Sequence, residues 1–202
     1  MDKKLKIEKE IIDTCFSELS AVLNRTLERE KKNIEKTVSL ILEALKNDKK
    51  LLICGNGGSA AESQHFAAEL VGRFKMSRKG IPAIALTTDT AIITALGNDF
   101  GFDSIFAQQV ETLGREGDVL CCLSTSGTSA NLIMASLKAR EKDIPTLSLL
   151  GKDGGKMKEI SDISIMVPSQ DTARIQEVHL LILHVICQMI EKILFASKDE
   201  SL

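Results

Sequence analysis

The chain has 202 residues, a length that one hydrophobic core can serve, and a formal net charge of -2, so no strong field draws it to a nucleic-acid backbone or an anionic membrane. Trp and Tyr are absent and only 7 Phe are present, which removes the stacking platform of single-strand binders; no nucleic-acid partner is expected. The 5 cysteines (Cys15, Cys54, Cys121, Cys122, Cys187) form no C-x-x-C pair and read as buried thiols of a reducing compartment.

Residues 1–10 are charged throughout and no apolar signal core follows, so a cytoplasmic protein is expected. From residue 4 to 45, Ile12, Phe16, Leu19 and Leu23, then Ile34, Val38, Ile41 and Leu45 recur at helical spacing, predicting two amphipathic helices as an N-terminal extension over 1–47 that packs or oligomerises. After Asn47 short β-prone runs at 51–54, 83–87, 118–123, 146–150 and 163–167 alternate with helical patterns. Runs apolar on both faces and joined by helices predict a parallel sheet covered on both sides. The expected fold is therefore α/β, a doubly wound, flavodoxin-like five-stranded parallel sheet, in one domain spanning 1–202 with its α/β core at 48–202. Residues 172–195 predict a long closing helix with a broad apolar face. Its apolar stretch near 180–190 is interrupted by His184 and Gln188 and reads as too short to cross a bilayer; no membrane partner is expected.

The first strand runs into Gly55-Asn56-Gly57-Gly58-Ser59-Ala60, a glycine-rich turn that opens a helix. Free backbone N–H groups and the positive helix end there suit an anionic or polyhydroxylated ligand. A dinucleotide reading fails, because the acidic residue about 20 positions on is missing: the second strand closes too late, at Thr87-Thr88-Asp89. The following helix carries His65 and Glu69 one turn apart, an arrangement open to shared metal ligation, to proton transfer, or to an ordinary surface contact.

The third strand ends in Ser124-Thr125-Ser126-Gly127-Thr128-Ser129. A helix cap accounts for one of these hydroxyls, whereas a phosphate cradle uses several, with Gly127 letting the backbone curl close. The segment 151–156 lacks the spacing of a nucleotide P-loop and reads as a turn. In the last helix Gln176, His179 and His184 sit among apolar residues and must find partners if buried.

With these motifs assembled, the chain resembles the sugar isomerase (SIS) domain family, and within it the sedoheptulose 7-phosphate isomerases. The resemblance runs over most of the chain, through 54–61, Gln64-His65-Phe66-Ala67 with Glu69, 97–102, 114–120, 124–127 and Arg174-Ile175-Gln176-Glu177-Val178-His179. It implies that Asn56, Gly57, Gly58, Ser59, Glu69, Asn98, Asp99, Ser124, Thr125, Ser126, Ser129 and Gln176 contact a sugar phosphate. It further implies one Zn²⁺ per subunit at His65, Glu69, Gln176 and His184, catalysis by Glu69 and His184, and a homotetramer. Because eight residues of helix separate Gln176 from His184 by about 12 Å, ligation of one ion by both requires either an irregular first turn at Gln176 or a neighbouring subunit. Ala173 stands where some isomerases of the family carry Asp. The alternative from another class is a non-catalytic SIS module of the kind that binds the bacterial replication initiator. Such relatives lack the carboxylate and the histidine that stand here as Glu69 and His184.

Overall fold

A computed structural model describes residues 3–196. A single helix α1, Lys3–Lys46, opens the chain, so the two predicted helices are one. Nothing stops it: the segment contains neither Gly nor Pro. The apparent gap in the apolar pattern between Leu23 and Ile34 is filled on the inward face by buried Thr26 and Glu30. Thr26 returns its hydroxyl to the Val22 carbonyl, and Asn33 donates to Glu30 and to the Ser164 carbonyl. Polar residues satisfied in this way hold the stripe without showing in a hydropathy pattern.

Five parallel strands follow: β1 Leu51–Gly55, β2 Ala83–Ala85, β3 Val119–Ser124, β4 Thr146–Leu150 and β5 Ile163–Met166, in the order β2-β1-β3-β4-β5. This is the predicted flavodoxin-like winding, whose switch point lies between β1 and β3. The second strand is shorter than expected from 83–87; the chain leaves the edge after Ala85, with only Leu86 N still bonded to the Ile53 carbonyl. The helices between strands are α2 Gly58–Val71, α3 Thr90–Phe100, α4 Ile105–Leu113, α5 Ala130–Glu141 and α6 Gly155–Ile160, and α7 Thr172–Phe195 closes the chain.

Alternation along the strands divides the core. Leu51, Ile53, Val119, Cys121, Leu123, Leu147 and Leu149 face α1, α2 and α7, while Leu52, Cys54, Leu120, Cys122 and Leu150 face α4, α5 and α6. Helix α7 is 24 residues long, enough by length and hydropathy to cross a bilayer, so the expectation that its apolar stretch is too short is corrected. Its Ile175, Val178, Ile182, Leu183, Ile186 and Ile190 lie in the protein core, as befits the central helix of a packed face. Arg174 ties it to α1 by donating to the Cys15 carbonyl. All five cysteines are free, four of them buried.

Candidate active site

Two loops leave the carboxyl edge of neighbouring strands β1 and β3, on either side of the switch point. After β1, Gly57 takes φ 56° and α2 begins at Gly58. A Cβ on Gly58 would stand 2.5 Å from Gln176 Nε2, so the glycine is what lets the α7 amide reach the loop. Asn56 exchanges two 2.9 Å amide hydrogen bonds with Asn131 of α5, which joins the first loop to the helix that follows the second. Sequence reasoning missed Asn131; its one signal was an amide in the first turn after a hydroxyl-rich loop.

In the second loop Gly127 adopts φ 67°, and a Cβ there would lie 1.9 Å from the Gly154 carbonyl oxygen. The loop is thereby pressed against the 151–156 turn, and Met157 N donates to the Gly127 carbonyl. The Ser124 hydroxyl accepts from Gly127 N, and the Ser126 and Thr128 hydroxyls pair at 2.9 Å. Ser129 occupies the N-cap of α5 without making a side-chain cap bond, which leaves its hydroxyl available beside the helix N-terminus.

Helices α2 and α7 run side by side in the same direction: Gly58 meets Gln176 at their beginnings, and further along His65 meets His184. His184 Nε2 lies 3.1 Å from His65 Nε2, and His65 Nε2 lies 3.1 Å from Glu69 Oε1. The ligand atoms of His65, Glu69 and His184 all fall within 4.8 Å of one another. A single N–H on His65 cannot serve a carboxylate and a second ring nitrogen equally, whereas one cation between three lone pairs can. Two imidazoles and a carboxylate are a donor set that fits a divalent metal such as zinc with a coordination position left open.

Phe74 stacks on the His184 ring, with centroids 5.3 Å apart and the planes 26° from parallel. Burial, then the adjacent His65, hold the His184 pKa below the usual histidine value, with Lys75 in the same sense and Glu69 in opposition. The free imidazole is therefore neutral at neutral pH and offers a lone pair. His179 has the other fate open to a helical histidine. It is wholly buried, its Nε2 reaches the Leu150 carbonyl at 3.3 Å, and burial drives its pKa to about 4; it belongs to the core.

Gln176 sits on regular helix five residues past the Asp171 cap, so of the two expected routes to ligation by Gln176 the irregular first turn is absent and the neighbouring subunit is the one left. In this chain it lies against Gly58 and about 12 Å along the axis from His184. Asn98 and Asp99 are exposed at the end of α3 and bonded to each other. The site residues thus form one cluster at the loops, one at the trio, and a separate pair on α3.

The SIS domain model matches residues 15–151. Phosphoheptose isomerases of Helicobacter pylori (strain P12) and Geobacter sulfurreducens are 50% and 55% identical to the chain, over 91% and 92% of it and 95% and 100% of their own length. The chain belongs to the phosphoheptose isomerase group of the SIS domain family. The structure of phosphoheptose isomerase GmhA from Neisseria gonorrhoeae superposes on this SIS domain with a TM-score of 0.87 at 44% identity, covering 91% of this chain and 98% of that one. The SIS domain's hydroxyl-rich loop and its His/Glu/His trio therefore sit on a scaffold shared with enzymes of that name.

Proposed function

We propose that this chain is an aldose-ketose isomerase that interconverts sedoheptulose 7-phosphate and D-glycero-D-manno-heptose 7-phosphate, the entry step to bacterial heptose precursors. The observation that carries the reading is the convergence of His65, Glu69 and His184 on a helix pair that begins at the ligand loops. The trio lies about 10 Å along α2 from Gly58, a separation suited to an extended sugar phosphate whose phosphate and carbonyl ends are read by different groups.

In this reading Ser124, Thr125, Ser126 and Ser129 donate to the phosphate, together with the N-terminus of α5. Asn56, Gly57, Gly58, Ser59 and Gln176 orient the hydroxylated chain. Asn98 and Asp99, exposed on a helix with no buried side chain, reach a site across an interface between copies, in keeping with a homotetramer. His65, Glu69 and His184 hold one zinc ion, which when bound would polarise the substrate carbonyl. Only Oε1 of Glu69 is engaged with His65; its other oxygen takes the proton from the carbon next to the carbonyl and returns it to the neighbouring carbon. Through Nδ1, the ring nitrogen not turned toward the trio, His184 delivers and withdraws the proton on the oxygens as the enediol forms and collapses. Anchoring the phosphate keeps the reacting carbons at these two groups.

The test is incubation of the purified protein with sedoheptulose 7-phosphate, with and without chelation and zinc restoration. Aldoheptose phosphate should form, and its formation should fall by 10²-fold or more, roughly, in Glu69→Gln. No product under any condition would sink the isomerase reading and favour a sugar-phosphate-binding module.

A further inference from the structure

The segment between α2 and β2 makes an unusual connection to α7. Glu191 has its side chain 1% exposed, yet its carboxylate accepts four hydrogen bonds. Oε1 takes Phe74 N at 2.9 Å and Arg78 Nε at 2.8 Å, and Oε2 takes Lys75 N at 2.9 Å and Met76 N at 3.1 Å. Burial alone would raise its pKa; the three backbone donors and Arg78 outweigh burial and hold it below the usual carboxylate value. Arg78, also 1% exposed, spends its remaining donors on main-chain carbonyls: Nη1 on Leu70, Gly72 and Lys79, and Nη2 on Glu69.

These bonds reach both helices of the site. Arg78 secures the last turn of α2 at Glu69 itself, satisfying carbonyls that the helix end leaves open. Glu191, seven residues and two turns beyond His184 on the same helix, fixes the backbone of Phe74, whose ring lies on His184. Lys75 adds a 2.7 Å bond to Gln188. A mere surface clasp would not bury both charges, given the desolvation each one costs.

We propose that the Arg78–Glu191 pair and Phe74 form a positioning device for the His65/Glu69/His184 site, with Phe74 setting the plane of the His184 ring and Arg78 setting the height of Glu69. This rests on the trio being the reacting and metal-holding group. Groups that orient ligands in this way commonly govern metal affinity or rate by about 10–100-fold. None of the three touches the phosphate-type loops, so their loss should act on the reacting end and spare anchoring.

The experiment compares wild type, Phe74→Ala, Phe74→Tyr and Glu191→Gln in two assays: zinc affinity, by competition against a chromophoric chelator, and steady-state isomerisation. Phe74→Ala, which keeps the ion pair, should weaken zinc binding about tenfold or more and lower kcat comparably, with KM held within about twofold. Phe74→Tyr, which keeps the ring, should restore both, and Glu191→Gln, if it folds, should follow Phe74→Ala. Phe74→Ala with wild-type zinc affinity and kcat, or a change confined to KM, would overturn the proposal while leaving the isomerase reading intact. A wild-type protein that neither binds zinc nor turns over would overturn the reading, and the proposal with it.

Discussion

Two buried titrating residues pull stability in opposite directions with pH. His179 is fully buried and its pKa falls from 6.5 to about 4, so between those values the unfolded chain binds more protons than the folded one. Stability at this site therefore drops as pH falls, by about 1.4 kcal/mol per unit. Glu62 is the reverse case. Burial raises its pKa from 4.5 to about 7 against a lowering Ser59 contact, and its Oε2 has no hydrogen-bond partner. In that window the folded form holds the extra proton, and stability falls as pH rises. Glu62→Gln should stabilise the protein by about 2 kcal/mol at pH 8, because the neutral amide removes the cost of holding a desolvated carboxylate ionised. Between pH 6.5 and 4.5 the variant's stability should also decline more steeply with falling pH than the wild type's, by about 1.4 kcal/mol per unit. Urea denaturation across the pH range measures both; parallel curves would remove Glu62 as a titrating site. Neither shift was legible in the sequence, because burial of a polar residue on an amphipathic helix depends on what packs across from it.

The loops after β1 and β3 owe their shape to glycine contacts, and the two critical glycines fail differently when substituted. At Gly127 the obstacle is the backbone of Gly154 and φ is positive, so nothing flexible can give way. Gly127→Ala should cost about 2–4 kcal/mol of stability, the range for strained and overpacked positions, as a lowered urea midpoint would show. At Gly58 the obstacle is the movable amide of Gln176. Gly58→Ala should fold with nearly unchanged stability and raise KM about tenfold, since a displaced amide costs a substrate contact made before the transition state. Steady-state kinetics on the folded variant separate the two. The glycine-rich run, the hydroxyl loop and the strand spacing placed these elements correctly from the sequence. That Gly127 abuts Gly154, and that Asn56 pairs with Asn131, required the crossover connections to be formed.

At the scale of the whole molecule, the first turns of α1 extend an apolar stripe into solvent, with Ile7, Ile11, Ile12 and Phe16 all exposed, Phe16 by 74%. Phe100 and Phe102 stand exposed at the end of α3, which packs on the core only through the half-buried Ile93 and Leu96. Contiguous exposed apolar residues of this kind mark association surfaces. Replacing Ile12 and Phe16 together by Glu should shift the proposed tetramer to smaller species in light scattering and reduce turnover, because Asn98 and Asp99 would no longer reach a site; a monodisperse tetramer in the double variant would exclude this face as an interface. The sequence by itself determined the α/β class, the number and approximate positions of the strands, the glycine-rich and hydroxyl-rich loops that follow the first and third of them, and the span of the final helix, because periodicity and turn chemistry are local properties of the chain. It did not determine that α1 is continuous, that His184 meets His65 across two parallel helices while Gln176 meets Gly58 instead, or that Arg78 and Glu191 brace both sides of that contact. Those are pairings between residues far apart in sequence, and only the packing of α2 and α7 on one face of the sheet decides which side chains share a height.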